Sequence, residues 1–473
     1  MADPATAPSE GPSAEEPRRS DRPEEETVGL APALVDAVRK ALAEGQVETV
    51  ERQVEPLHPA DTADLLEALG RDERKLLLRI TGEALEAEVL TYLEPELRNA
   101  VVADLGPKIS AQLLKQLESD DALEFFEDLD EDPRTQILSR VPRTIQRLLT
   151  EGMTFPEDSA GRLMQREVVV VPSIWTVGET IDWMRTHKKQ IVSDFYDLYV
   201  VDPRYKPIGK LPLSRVLRSK RPTKIAELMS EDFYPLKVTL DQEEVAYLFR
   251  QYSLLSAPVV DDAGRLVGVI TLDDIVHVID QEAEEDILKL GGVSESDLYS
   301  DVLRTTRRRF SWLAVNLMTA ITASLVIALF EATIEQVVAL AVLMPIVASM
   351  GGNAGTQTLT VAVRAIAMKD LAGRGVARFI TKELLVGLFN GLLFAVVMGV
   401  IAWLWFDQPL LGAVIAIAMV INLVVAGLFG ALIPFLLDKL GADPAIGSSV
   451  FLTTVTDVVG FFAFLGLAGL VLL

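Results

Sequence analysis

One carboxylate in this chain stands where water is scarce. Asp457 lies deep within AIGSSVFLTTVTDVVGFFAFLGLAGLVLL, a run from Ala445 to Leu473 that is otherwise apolar or hydroxylic. An ionisable group near a bilayer centre costs roughly 2.5–3.5 kcal/mol on insertion scales, so it is kept for a partner or a pathway. Glu383 and Asp407 lie near the ends of their own apolar runs, which leaves Asp457 the deepest acid. Facing water inside a helix bundle, such a group suits a cation path; protonated or paired with a neighbouring helix, it would be inert. An earlier apolar run holds Pro345 and then Gly351-Gly352-Asn353-Ala354-Gly355-Thr356-Gln357. Asn353 and Gln357 are four apart and share a helix face. The proline and glycines are expected to break this helix and free carbonyls, which is tolerated only beside protein or water. The competing reading is close helix–helix contact through small residues. Thr453, Thr454 and Thr456 beside Asp457 favour an ion path.

Such residues need spans to carry them. A helix crosses the hydrocarbon with about 20 predominantly apolar residues. Five runs have that length: 311–330, 336–363, 383–406, 410–437 and 446–473. Arg304, Arg307, Arg308 and Arg309 precede the first run. Arg364, Lys369, Arg374, Arg378 and Lys382 fill the second-to-third connection, whereas Glu331, Glu335 and Asp407 mark the opposite side. The positive-inside rule then puts the N-terminal part in the cytoplasm and the C-terminus outside, in a multi-pass protein of the inner or plasma membrane.

The 473-residue chain is 50% hydrophobic yet carries a net charge of −24. From Ser311 on, six Lys/Arg stand against eight Asp/Glu, so −22 of that charge precedes the spans. Such an acidic surface repels nucleic acid and anionic lipid and attracts cations. The absence of cysteine excludes disulfides, thiolate chemistry and cysteine zinc sites. Three scattered histidines make a transition-metal site unexpected. Nothing matches a Walker loop or a nucleophile elbow, so the chain is not expected to be an enzyme.

Residues 1–29, polar, Pro-rich and charged, read as a disordered acidic tail and not a signal peptide. Residues 30–155 carry short amphipathic helices, and the pattern at 63–80 returns at 123–141, an offset of 60. A small α-helical superhelix of repeats is expected. Residues 160–280 switch to β-branched runs alternating with helices. LYVVDPRYKPIGKLPLSRV at 198–216 aligns with APVVDDAGRLVGVITLDDI at 257–275, and Leu163-Met164 and Leu228-Met229 open the two copies. These residues resemble a tandem cystathionine-β-synthase (CBS) pair, an α/β module that often binds adenine nucleotides, so ATP is an implied ligand. Residues 281–305 are expected to form a connecting helix, with Glu282, Glu285 and Asp286 within one or two turns. Residues 306–473 form the five-span membrane domain.

This multi-domain order, with GGNAGTQ and later DPAIGSSVFLTTVTD, resembles the MgtE family of magnesium channels over the chain after about residue 30. The resemblance implies a homodimer in a lipid bilayer, with the pore on the dimer axis and Mg²⁺ as both cargo and regulator. It makes Asp457 the pore ligand, with Thr453 and Ser449 one and two turns earlier, and Gly351, Gly352, Asn353 and Gln357 as pore-lining candidates. Asp241, Glu243, Asp274, Glu282, Glu285 and Asp286 become regulatory Mg²⁺ ligands that clamp the connecting helix, or plug, to shut the pore. The family has acids where this chain has Ser253 and His277. Mg²⁺ keeps several waters and uses one or two carboxylates, which one aspartate per chain of a dimer supplies. Two other readings compete: an H⁺- or Na⁺-coupled divalent-cation transporter, and a membrane-anchored CBS nucleotide sensor.

Overall fold

The computed structural model describes residues 29–82, 84–188, 191, 195–293, 302–369 and 374–473. The expected tail, except Gly29, and residues 294–301 of the expected connecting helix lie outside the described residues. The chain divides between Thr154 and Phe155 into two compact units.

The first unit is helical: α1 (Pro32–Ala43), α2 (Val47–Val54), α3 (Pro59–Ala68), α4 (Arg71–Thr81), α5 (Pro95–Leu113), α6 (Ser119–Glu127), α7 (Glu131–Leu138) and α8 (Arg143–Gly152). The repeat is visible in the core. Leu65, Leu66, Leu69 and Leu77 are buried, and so are Phe125, Phe126, Leu129 and Ile137, each 60 residues later. Helix α5 turns sharply at Gly106, whose φ of 76° precedes Pro107. Arg98, 3% exposed, donates to Asp128 at 2.7 Å and to Glu124 at 3.1 Å. Breaking a buried pair of this kind strands a charge, so Glu124 is committed to the fold of this unit.

The second unit begins with α9 (Ala160–Leu163), β1 (Val170–Pro172), α10 (Val177–Thr186), β2 (Asp197–Val201), β3 (Pro207–Pro212) and α11 (Leu213–Arg218). It repeats the plan with α12 (Ile225–Leu228), β4 (Leu236–Lys237), α13 (Gln242–Tyr252), β5 (Ser256–Val260), β6 (Leu266–Thr271) and α14 (Leu272–Leu290). Each copy has a three-stranded sheet whose middle strand pairs parallel with the first and antiparallel with the third. The opening segments are exchanged. Ala160 and Met164 sit in the core of the second copy with Val245 and Ile270, whereas Leu228 and Met229 pack on the first copy's Val171 and Leu211. Gln165 and Val269 exchange backbone hydrogen bonds at 2.8 Å, as do Ser230 and Lys210 at 2.8 and 2.9 Å. The expectation that each Leu-Met pair opens its own copy is corrected by this crossing. Gly209 and Gly268 make it possible, because a Cβ at either would press on the crossing methionine and the next carbonyl.

Helix α14 runs without interruption from the end of the CBS pair, so the boundary expected at 280/281 falls inside one helix. Beyond it stand α15 (Val302–Ala328), α16 (Glu331–Gln336), α17 (Ala339–Ala367), α18 (Arg374–Phe406), α19 (Pro409–Lys439) and α20 (Ser448–Val471). Five of these, α16 excepted, are long and apolar enough to cross a membrane. Helix α19 is the hub, with Leu411, Val414, Ile415, Ala418 and Met419 buried among Leu343 and Val347 of α17 and Phe464 of α20.

Contrary to expectation, α17 is unbroken through Pro345 and the glycine run. The glycines serve approach between helices: a Cβ at Gly355 would meet Leu452 at 2.9 Å, and one at Gly430 of α19 would meet the Gly355 carbonyl at 2.7 Å. Pro345 costs the helix one backbone bond, and the rest of the ladder continues, which hydrocarbon rewards strongly. For the crossing in the CBS pair, Gly268→Ala should cost about 1–3 kcal/mol, as overpacking of a filled core does. Denaturant unfolding of the purified chain followed by circular dichroism measures it; an unchanged midpoint would show that the methionine yields freely.

Candidate functional site

Two groups of functional side chains take shape, one in the spans and one at the helix that leads into them. In the spans, α20 presents Ser449, Thr453 and Asp457 at successive turns, Thr453 exposed and the other two half-buried. The Thr453 hydroxyl donates to the Ser449 carbonyl at 2.8 Å, which leaves its oxygen lone pairs facing outward. Thr456 is buried and bonds back to Leu452 and Thr453, so it belongs to the packing. Asp457 has no hydrogen bond or ion pair among the described residues. On α17, Ser349, Asn353, Thr356, Gln357 and Thr360 form an exposed polar stripe, with Asn353 donating to Ser349 at 3.3 Å. A helix of this hydropathy cannot turn such a stripe to lipid without cost. Gly352 has open space beside it, whereas Gly351 is buried against Asn422 and lines no open face, which corrects its place among the pore-lining candidates.

The second group lies on α14. Glu282, Glu285, Asp286 and Lys289 occupy one half-buried face, spaced by three and four residues, while Glu284 points to solvent. The start of α13 approaches this face. Asp241 caps that helix by accepting from the Glu243 N–H at 2.9 Å, and Gln242 donates to Glu282. Burial, then the neighbouring carboxylates Glu243, Glu285 and Asp158, push Glu282 up to about 7 despite the Gln242 bond. Glu243 is raised by burial and by Asp241, Asp286 and Asp443, and Asp286 by burial and Asp443. Asp158 is likewise raised by burial, Glu285 and Asp241. Carboxyls raised on assembly favour the assembled state only while they hold protons, and that preference fades as pH climbs through the raised values.

The cluster is held by one cation of the chain. Lys289 pairs with Glu285 on its own helix and with Asp443 at 2.7 Å, in the loop between α19 and α20. One residue further, Leu290 packs among Leu359 and Val363 of α17, Ile433 and Leu437 of α19, and Ala445 and Leu452. Gly292, with φ of 74°, lets the Trp312 indole of α15 close against it. The end of α14 is therefore packed on the helices that carry the polar stripes. Among the described residues no three acids converge tightly enough to form a ready metal cage.

Asp274 is not brought into this cluster. It completes a capping box at the start of α14, accepting from the Thr271 hydroxyl at 2.7 Å and the Thr271 N–H at 3.2 Å. Burial raises it to about 6, and its charged neighbours are Asp273 and His277. Sequence reasoning missed Asp158, Asp443 and Lys289. Asp443 lies in the short polar loop just before Pro444, but nothing local says that it meets a residue some 150 positions earlier.

Fold and site define a multi-pass membrane protein with a polar face and one deep carboxylate in its spans, joined by an acid-bearing helix to a CBS pair. The family model described as a divalent cation transporter matches residues 344–467; an MgtE intracellular N domain matches 57–158 and a CBS domain 225–281. The chain is 35% identical over 447 residues to the magnesium transporter MgtE of Thermus thermophilus, covering 93% of this chain and 98% of that one. It is 29% identical over 429 residues to that of Bacillus subtilis, covering 90% and 95%. A solved cytosolic domain of the Mg²⁺ channel MgtE in complex with ATP is 30% identical, covers 52% of this chain and 99% of that one, and has a TM-score of 0.49. The chain belongs to the MgtE family.

Lys289→Ala should leave the α14 acids and Asp443 without their shared counter-charge. In chelator, proteolysis between residues 280 and 300 is expected to run faster than in the native chain, with the difference narrowing when Mg²⁺ is added. Equal rates in chelator would show that the lysine contributes nothing to docking this helix.

Proposed function

We propose that this protein carries Mg²⁺ into the cell through a pore built from two copies of the chain, and that Mg²⁺ on the cytoplasmic side closes it. The observation that carries the reading is the polar side of the membrane unit, with Thr453 on α20 and Asn353 and Gln357 on α17 exposed and Asp457 and Ser449 half-buried beside them. Hydrocarbon cannot cover such a surface, and a symmetry-related copy can, which brings two Asp457 carboxylates to one axis. Two carboxylates facing a hydrated ion suit Mg²⁺, which sheds its waters reluctantly. The cytoplasmic N-terminus and outer C-terminus follow from the arginines and lysines at the ends of the spans.

Closure rests on the α14 acids. Glu282, Glu285 and Asp286 with Asp241, Glu243, Asp158 and Asp443 repel one another, and Mg²⁺ bridging them draws the CBS pair onto the helix packed against the spans. Asp274 stays with its cap and is left out of this set. A ligand shifts such a gate only by its preference for one state. ATP is proposed at the CBS pair, at a narrow cleft lined by Phe195, Tyr196 and Thr271 that would have to widen to admit a nucleotide. Glu167 and Asp197 line the same cleft, so a triphosphate there would need a cation beside it.

Asp457→Ala and Asp457→Asn should both abolish Mg²⁺ uptake while the protein remains folded, because the required property is charge. A Mg²⁺-dependent growth assay and flux into proteoliposomes measure this; undiminished uptake overturns the pore reading. Glu282→Ala, Glu285→Ala and Asp286→Ala combined should conduct at cytoplasmic-side Mg²⁺ that closes the native protein. Inhibition curves of the two proteins test it, and superimposable curves would mean the acids are a solvated face only.

A further inference from the structure

The polar stripes leave a fully buried membrane-embedded amide unexplained. Asn422 lies midway along α19, fully buried, on the side facing α17 and α20 and away from the open polar side. Its Nδ2 donates to the Val347 carbonyl of α17 at 2.8 Å. In a regular helix that carbonyl already receives the N–H of residue 351, so the amide makes a second bond to it. Gly351 makes this possible: any side chain there would cover the carbonyl, and a Cβ would fall 2.9 Å from the Asn422 Cγ. On the other flank a Cβ at Gly460 would lie 2.8 Å from the Asn422 Nδ2. The carboxamide thus fills a slot between two glycines, one on each polar-striped helix. Gly460 is three residues after Asp457 and Gly351 two before Asn353.

The amide is not there for packing alone. Its Oδ1 is buried without a hydrogen-bond partner among the described residues, which costs stability that a leucine of the same branching would not incur. Turning the amide over would set Oδ1 against the Val347 oxygen, so the donor toward α17 fixes its orientation. What the amide adds over leucine is direction: it ties α19 to one carbonyl of α17 while its body abuts α20 at Gly460.

We propose that Asn422 is a positioning residue of the ion path, holding α17 and α20 at the separation from which Asp457 and Asn353 face the ion. The proposal rests on the reading of Asp457 as the acid of that path. It places a determinant of discrimination between Mg²⁺ and larger divalent cations outside the pore, in a residue that touches no ion.

The test uses the full chain in proteoliposomes, with Mg²⁺ flux read by an indicator and Ca²⁺ as competitor. Asn422→Leu keeps the number and branching of side-chain heavy atoms and loses the bond. It should unfold no earlier than the native protein, yet change the Mg²⁺ half-saturation or the Mg²⁺/Ca²⁺ preference by about threefold or more, the scale of one hydrogen bond between membrane helices. Native half-saturation and preference in that variant would overturn the proposal. Gly351→Ala alone should lose most flux, since the methyl and the amide cannot share the slot, and Gly351→Ala with Asn422→Ala should regain part of it. Independent, additive losses would equally overturn the proposal, and this arm decides if Asn422→Leu does not fold. Absence of flux in the native protein would fail the pore reading itself, a result distinct from either.

Discussion

Hydrocarbon has no hydrogen bond to offer, and the membrane unit is arranged around that deficit. Each spanning helix continues its backbone ladder without a break, including α17, where a proline and several glycines invited one. Threonine hydroxyls turn back onto carbonyls of their own helices, as Thr454 does onto Val450, or donate to a buried carboxylate of a neighbouring helix, as Thr358 does to Glu383. What stays open is then conspicuous: the Asp457 carboxylate, without a partner among the described residues, and an exposed polar stripe on α17, on two helices that pack through Gly355 and Leu452. The need of those groups for water, an ion or a second copy is the force that organises the reading of this protein as a pore.

The same deficit appears in reverse at α14, where the trouble is too much charge and too few partners. Three acids on one helix face, two at the start of α13, and Asp158 and Asp443 crowd together, with Lys289 paired to Glu285 and Asp443. Leu290 and Gly292 pack the end of the same helix on α15, α17, α19 and α20, so the acids stand on the element that meets the spans.

Much was legible along the chain because it is periodic. Apolar run lengths give the spans, and offsets of 59 and 60 residues give the two CBS copies and the helical repeat, whose buried positions match pair by pair. The depth of Asp457 needed only counting. The capping box at Thr271 and Asp274 could also have been recognised, since a threonine with an acid three residues later ahead of an apolar run is a helix-start signature.

Other features had no local signal. The exchange of the opening segments between CBS copies depends on which sheet edge is free, and the glycines that permit it look like any strand glycine. In α17 the glycine run is compatible with either a broken helix or a tight contact; the choice fell to Asn422, Leu452 and Gly430, which come from helices far along the chain. The meeting of Lys289 with Asp443 is likewise a product of packing. Periodicity is a property of one segment and can be read there. Which segment supplies the partner of a buried amide, a glycine or an acid is decided only when helices distant in sequence compete for the same space.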